Sequence, residues 1–194
     1  MRIYLASRSP RRRELLHQIG VEFETLIGDV EVDETPLPGE DPATYVERVT
    51  RAKAEEGERI ILDRHLIVHP ILAADTTLEF NGEIIGKPVD AADAEAILRR
   101  LSGQVHRVLT GVAVHDAGRT EFVLSVSEVR FRAIEDDEIR HYVLSGEPMD
   151  KAGAYGIQGR AGLFVAHIAG SYTGIMGLPV CETGELLKKF GFRF

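Results

Sequence analysis

Ile3-Tyr4-Leu5-Ala6-Ser7-Arg8-Ser9-Pro10-Arg11-Arg12-Arg13-Glu14 is the stretch whose reading decides the fold. Residues 3–6 are an apolar run that reads as a strand, and Leu15, Leu16 and Ile19 follow at the spacing of one helix face. Ser9 suits the N-cap and Pro10 the first helical position, so the helix starts there. Three arginines then occupy its first turn, where the helix dipole already disfavours positive charge. Cations placed against the local field imply an absent anion. A strand end, free N–H groups at a helix start and several guanidinium forks together suit phosphate or polyphosphate. A solvated basic patch is the alternative.

Working outward, residues 22–27 alternate and read as a second strand, followed by an acidic loop over 29–41 that carries Asp33 and Glu34. Residues 42–56 show helical spacing through Tyr45, Val46 and Val49. The apolar run 66–74 is interrupted by Pro70 and ends in Asp75-Thr76-Thr77. Asn81-Gly82 between alternating runs predicts a tight hairpin. A helix over 91–101, strands over 105–115 and 120–132, and a helix over 135–144 follow. The glycine-rich segment 146–162, a strand over 163–168, a Gly/Ser turn and a helix over 180–190 complete the order. This mixture, with two long hairpins, predicts an α/β fold around a mixed twisted sheet with flanking helices, not a doubly wound parallel one. No repeat or linker divides the chain, so residues 1–194 read as a single domain.

The chain has 194 residues, enough for one sizeable core or two lobes sharing a cleft. Its net charge of -8 argues against binding a nucleic-acid backbone, while a small anion in a locally basic cleft fits. No apolar run is long enough to span a membrane, and the opening residues lack a signal-peptide layout, so a cytoplasmic location is expected. Cys181, the single cysteine, excludes an internal disulfide and a thiolate zinc cage and is expected in the core.

Asp75, at the end of an apolar run, stands where general bases and metal ligands are common, with an Asx-turn cap as the alternative. Lys87 lies in Gly86-Lys87-Pro88, a turn whose proline restrains the ammonium. Lys53 reads equally as the exposed face of its helix, and Glu34 as one charge of a mobile loop. Between 146 and 162, five glycines accompany Asp150, Lys151, Tyr155 and Gln158. The Gln158 amide offers a donor and an acceptor together, which suits a nucleobase edge or a turn. Walker, Gly-x-Gly-x-x-Gly, Gly-x-Ser-x-Gly and zinc-protease motifs are missing, and the seven histidines are scattered. His106 reads as a structural hydrogen-bonding residue.

Together, Leu5-Ala6-Ser7-Arg8-Ser9-Pro10-Arg11-Arg12, Ala74-Asp75-Thr76, Gly86-Lys87-Pro88, Leu101-Ser102-Gly103 with His106, and Asp150-Lys151-Ala152-Gly153-Ala154-Tyr155-Gly156-Ile157-Gln158-Gly159 resemble the Maf family of nucleoside triphosphate pyrophosphatases, the septum-formation-inhibitor-like proteins. The resemblance implies a fold like that of inosine triphosphate pyrophosphatase, with two lobes around a nucleotide cleft. It implies hydrolysis of a nucleoside triphosphate to monophosphate and pyrophosphate with Mg²⁺ or Mn²⁺. By the same resemblance Asp75 is catalytic, and Ser7, Arg11, Arg12, Lys53, Thr76, Lys87 and Gln158 bind substrate. Arg11, Thr76 and Gln158 match positions tied to specificity, and Glu34 with Asp75 is expected to hold the metal. Lys151 with Ala154-Tyr155-Gly156-Ile157-Gln158 resembles the subgroup acting on dTTP and UTP. Thr77, where many relatives carry an aliphatic residue, and Pro70 depart from the pattern without touching these groups.

A triphosphate carries about four negative charges at neutral pH, so its cleavage needs a metal and a cationic wall. Arg11, Arg12, Lys53 and Lys87 supply the wall, and oxygen ligands suit a hard cation. The rival readings are a non-catalytic nucleotide-binding regulator of cell division and a housecleaning pyrophosphatase for modified nucleotides. Asp75 favours an enzyme, because a sensor needs no general base. A homodimer is left open.

Overall fold

The opening run forms β1 (Arg2–Ala6), and α1 (Pro10–Gln18) starts at Pro10, with the Ser9 side chain accepting from the Arg12 N–H. The computed structural model describes residues 2–194. β2 (Glu22–Thr25) lies parallel to β1, and β3 (Ile71–Phe80) is parallel to β1 on its other side. β4 (Glu83–Ile85) turns back on β3 through Asn81 and Gly82, both left-handed at φ 53° and 82°, as a primed two-residue turn requires. β5 (Val105–Asp116), β6 (Arg119–Phe131) and β7 (Val165–Ala169) extend the sheet antiparallel. The order is β2-β1-β3-β5-β6-β7, with β4 on β3. The expected mixed sheet with flanking helices is the fold observed.

One feature of the sheet positions everything else. β5 covers one edge of β3 from residue 71 to 79. The other edge is shared, by β1 at 71–73 and by β4 at 78–80. Among the described residues, 74–77 therefore have no strand partner on that edge, and Asp75 and Thr76 lie in the opening just past the carboxyl end of β1. Two apolar clusters flank it along β3. Leu72 and Ala74 pack with Ile3, Leu5, Leu15, Leu16, Leu186 and Leu187. Leu78 packs with Leu98, Val129, Phe131, Ile139 and Phe164.

α2 (Pro42–Asp63) crosses β3 and β5, capped by Asp41, whose side chain accepts from the Ala43 and Thr44 N–H groups. It runs a further two turns beyond the expected end because Ile60 and Ile61 bury against Tyr4, Leu26 and Ile71. The 66–70 run is not strand. β3 begins only after Pro70, and Ile67 and Val68 are exposed. α3 (Ala91–Leu101) and α4 (Asp136–Leu144) pack together over the Leu78 cluster. A five-residue helix, α5 (Tyr172–Met176), occupies the expected Gly/Ser turn, with the Ser171 side chain accepting from the Gly174 N–H. Cys181 is exposed on α6 (Val180–Lys188), not in the core, because that helix buries Thr183, Leu186 and Leu187 instead.

Gly111 pairs with Asp75 across β3 and β5 and faces α2. A Cβ there would stand 2.6 Å from Thr50 Oγ1 and 2.9 Å from Phe122 Cε2, so only glycine lets α2 approach this closely. Gly111→Ala should therefore lower stability by about 1–3 kcal/mol in urea denaturation with an unchanged m-value. Wild-type stability in that variant would mean that α2 shifts freely on the sheet.

Candidate active site

A lysine held between two carboxylates marks the centre of the opening. Lys53 Nζ, reaching in from α2, lies 2.6 Å from Asp75 Oδ1 and 2.6 Å from Glu34 Oε1. Asp75 is buried, and it sits at the middle of β3, not at a strand end as its sequence position suggests. The gap between β1 and β4 gives it the access that a strand end would have provided. Glu34 arrives on the 26–41 loop, whose backbone is tied down. The Tyr45 hydroxyl donates to the Glu34 carbonyl at 2.9 Å, and Arg48 donates to the Thr35 carbonyl at 3.1 Å. Burial raises the Glu34 carboxyl, but the charge and hydrogen bond of Lys53, with Lys87 and Arg12 beyond it, outweigh burial and hold it below its ordinary value. Tyr45, buried near the same carboxylates, is pushed up to about 12 and remains a donor.

The arginines of α1 divide by direction. Arg12 turns inward, donating from Nε to the Gly177 carbonyl at 2.7 Å, from Nη1 to Ser7 Oγ at 3.1 Å and from Nη2 to Thr76 Oγ1 at 3.1 Å. Its burial lowers the guanidinium pKa, opposed by Asp75 and reinforced by Arg11. Arg11 donates to the Met176 carbonyl at 3.3 Å and lies 3.8 Å from Asp150. Arg13 is exposed and does not line the cleft. Arg8 is exposed and pairs with Glu31 at 2.9 Å.

Two hydroxyls have their polarity set by their neighbours. Thr110 Oγ1 donates its one proton to the Gly174 carbonyl at 2.8 Å, so its 2.9 Å contact with Thr76 must be donated by Thr76. Ser7 Oγ accepts from both Arg12 and the Ser9 N–H, the latter at 3.2 Å, and among the described residues nothing takes the Ser7 proton.

These groups line a cleft of about 630 Å³, together with Lys87, Lys151 and Gln158. Lys87 is exposed on the rim, with no ion pair among the described residues. Gln158 is exposed on the turn that follows the short 3-10 segments of 147–154. His106 is buried, its Nε2 2.8 Å from the Tyr155 hydroxyl, and burial lowers its pKa to about 4. It is a structural neutral imidazole, as its sequence context suggested. Thus Ser7, Arg11, Arg12, Glu34, Lys53, Asp75, Thr76, Lys87 and Gln158 all border one cleft. The sequence reading missed Tyr45, Thr110 and the carbonyls of 174–177. Tyr45 sits on the apolar stripe of α2 and Thr110 inside a buried strand, so nothing local separates either from core.

A family model described as Maf-like protein matches residues 2–190. The chain belongs to the Maf family. Among its relatives, a protein of Dechloromonas aromatica (strain RCB) named dTTP/UTP pyrophosphatase is 73% identical, the match covering 100% of this chain and 99% of that one. A protein of the same name from Aromatoleum aromaticum is 64% identical over 98% of this chain and 96% of its own. A third, from Chromobacterium violaceum, is 55% identical over 98% and 96%. A Staphylococcus aureus Ham1 protein structure aligns over 68% of this Maf chain and 72% of its own at 16% identity and a TM-score of 0.48, too distant a likeness to bear on the fold.

Removing the cation at the centre should expose its electrostatic role. Lys53→Met leaves Asp75 and Glu34 without their shared counter-charge, which should cost about 2 kcal/mol at pH 7 after allowance for the half-exposed Glu34. The Glu34 pKa is depressed in the folded state, so its stabilisation is complete above the ordinary carboxylate range and is lost as pH falls through the folded value. The difference between wild type and variant, followed by denaturant titration, should therefore shrink on going from pH 7 to pH 3. A difference independent of pH would contradict this account.

Proposed function

We propose that this protein hydrolyses dTTP and UTP to the monophosphate and pyrophosphate by water attack at the α-phosphate. The observation that carries the reading is the end-to-end likeness, at 73% identity, to a protein named dTTP/UTP pyrophosphatase. The cleft suits that chemistry. Arg11, the two unused N–H groups of Arg12 and Lys87 offer the triphosphate a cationic wall, and Ser7 offers its free proton to a phosphate oxygen. Asp75 takes the proton of the attacking water while the α-phosphorus forms its new bond to oxygen. The bond from the α-phosphorus to the bridging oxygen breaks and pyrophosphate leaves. Lys53 orients Asp75 and steadies its charge until that transfer. Gln158 reads the base. Residues 1–194 act as one domain, and among the described residues no helix is long and apolar enough to cross a membrane.

Glu34 and Asp75 suit a hard divalent cation, because both are carboxylates that converge on one cleft beside Lys53, whose ammonium lies 2.6 Å from each. A Mg²⁺ or Mn²⁺ there would be held by these two carboxylates and completed by substrate phosphates. Such an ion would neutralise phosphate charge and polarise the α-phosphate.

Phosphorus NMR of the reaction should show pyrophosphate and nucleoside monophosphate. Orthophosphate with nucleoside diphosphate as first products would sink the claim. Asp75→Asn keeps the size and removes the base, so turnover should fall by about two to four orders of magnitude with the fold intact.

Base choice gives an independent test. Thymine and uracil share the O2, N3–H and O4 edge, to which one amide both donates and accepts, whereas cytosine reverses two of those groups. A mismatched buried group costs about 1–3 kcal/mol, so dTTP and UTP should exceed dCTP and CTP by at least roughly tenfold in kcat/KM. Gln158→Ala should narrow the gap mainly by slowing dTTP and UTP. Equal kcat/KM for UTP and CTP in the unmodified protein would refute this role.

A further inference from the structure

The turn that carries Gln158 is tied on both sides to a single carboxylate that lies outside the cleft lining. Glu147 Oε1 accepts from the Tyr142 hydroxyl at 3.0 Å, and Glu147 Oε2 accepts from the Arg160 N–H at 3.2 Å. The Tyr142 oxygen in turn accepts from the Gly156 N–H at 3.4 Å. Tyr142 is buried on α4, and burial, with Glu147 beside it, pushes its hydroxyl well above the ordinary value, so it stays a donor. The carboxylate rests directly on the turn, since a Cβ on Gly159 would stand 2.6 Å from Glu147 Cδ. Lys151 closes the far side. Its Nζ donates to the Glu147 carbonyl at 2.6 Å, and its Cε and Cδ lie 2.8 and 2.9 Å from where a Gly156 Cβ would be.

The partners of this carboxylate are unusual for their lack of positive charge. Among the described residues Glu147 has no ion pair, and the nearby ammonium of Lys151 bonds to its backbone and to Asp150 instead. A carboxylate that only accepts fixes the direction of both donors it meets, the Tyr142 O–H and the Arg160 N–H. Residues 156 and 160 are thereby held on either side of Gln158. Ile157 and Ala161 anchor the segment in the core. Its own backbone turn bonds among the described residues run from the Gly159 N–H to the Gly156 carbonyl and from the Gly162 N–H to the Gly159 carbonyl, so the exposed Gln158 takes its local direction from the contacts at 156 and 160.

We propose that Glu147 is a positioning residue for base selectivity: held by Tyr142, it pins the 156–160 turn so that the Gln158 amide meets the pyrimidine edge in one orientation. The inference rests on the reading of Gln158 as the base-recognition group. Glu147 lies outside the cleft lining and among the described residues has no bond to Asp75, so its loss acts on discrimination and leaves phosphate chemistry in place.

The test is the ratio of kcat/KM for UTP over CTP, measured in the unmodified protein and in Glu147→Ala, Gln158→Ala and the double variant. Glu147→Ala should lower the ratio about tenfold, with kcat/KM for CTP within about threefold of its starting value. In the double variant the ratio should differ from that of Gln158→Ala by less than about twofold, because both changes remove one coupled unit. A common fall for UTP and CTP that leaves the ratio intact would overturn the proposal, and so would fully additive effects in the double variant. Should Glu147→Ala not fold, Tyr142→Phe removes only the hydroxyl and should still lower the ratio by about threefold; an unchanged ratio there overturns the proposal as well. A preference that Gln158→Ala closes and Glu147→Ala keeps would overturn this inference alone. No preference in the unmodified protein would overturn the reading of Gln158 and this inference with it.

Discussion

Because β1 leaves the edge of β3 at residue 73 and β4 takes that edge up only at 78, four residues of a central strand face a gap. Everything in the cleft is arranged around that opening. A strand interior ordinarily hides its backbone and half its side chains, yet here it delivers Asp75 and Thr76 into a crevice while β5 holds the same residues rigid from the other edge. A site on a paired strand is positioned more firmly than one on a loop, and the chain from Ala6 into α1 turns over the same opening. Gly111, directly opposite Asp75, brings α2 close enough for Lys53 to reach.

The electrostatics follow from that proximity. Asp75 is buried, and a buried carboxylate without a partner is costly, so Lys53 is a condition of the fold itself. Lys53 also collects Glu34 from a loop whose backbone Tyr45 and Arg48 fasten to α2. The cluster of two anions and one cation carries a net negative charge, and Arg11 and Arg12 of α1 with Lys87 stand around it. An acidic protein thereby keeps a basic rim without becoming basic overall.

The sequence made the start of the site legible because its signals are local. Ser9 and Pro10 set the beginning of α1, and Asn81-Gly82 set the hairpin, each through the dihedral angles its residues prefer. The cleft residues were legible as a set only through resemblance, since Lys53, Lys87 and Glu34 each read alone as solvated charge. What the sequence could not reveal depends on contacts between distant segments. The end of α2 is set by Ile60 and Ile61 packing on Tyr4 and Ile71. α5 forms in a glycine-rich stretch because Ser171 caps it and Ile175 is buried. Asp75 looked like the end of a strand because the apolar run stops there, whereas β3 continues through Thr77, Leu78 and Glu79 by pairing with β5. The apolar run 66–70 misled in the opposite direction, for hydrophobicity alone does not supply a strand partner.

Polarity separates the two ends of the cleft. The Thr76 hydroxyl spends its proton on Thr110, because Thr110 has already donated to the Gly174 carbonyl. It also accepts from Arg12, so only one lone pair remains, and any further group that meets Thr76 must be a donor. Ser7 is the reverse, with its acceptor sites used by Arg12 and the Ser9 amide and its proton free. A phosphate oxygen can accept and never donates when ionised, so it matches Ser7 and not Thr76. Arg12 bonds to both hydroxyls and sits between these unlike surfaces. Its buried guanidinium therefore orders the direction of hydrogen bonding across the opening, a task that a lysine, with no planar fork, could not perform from the same position.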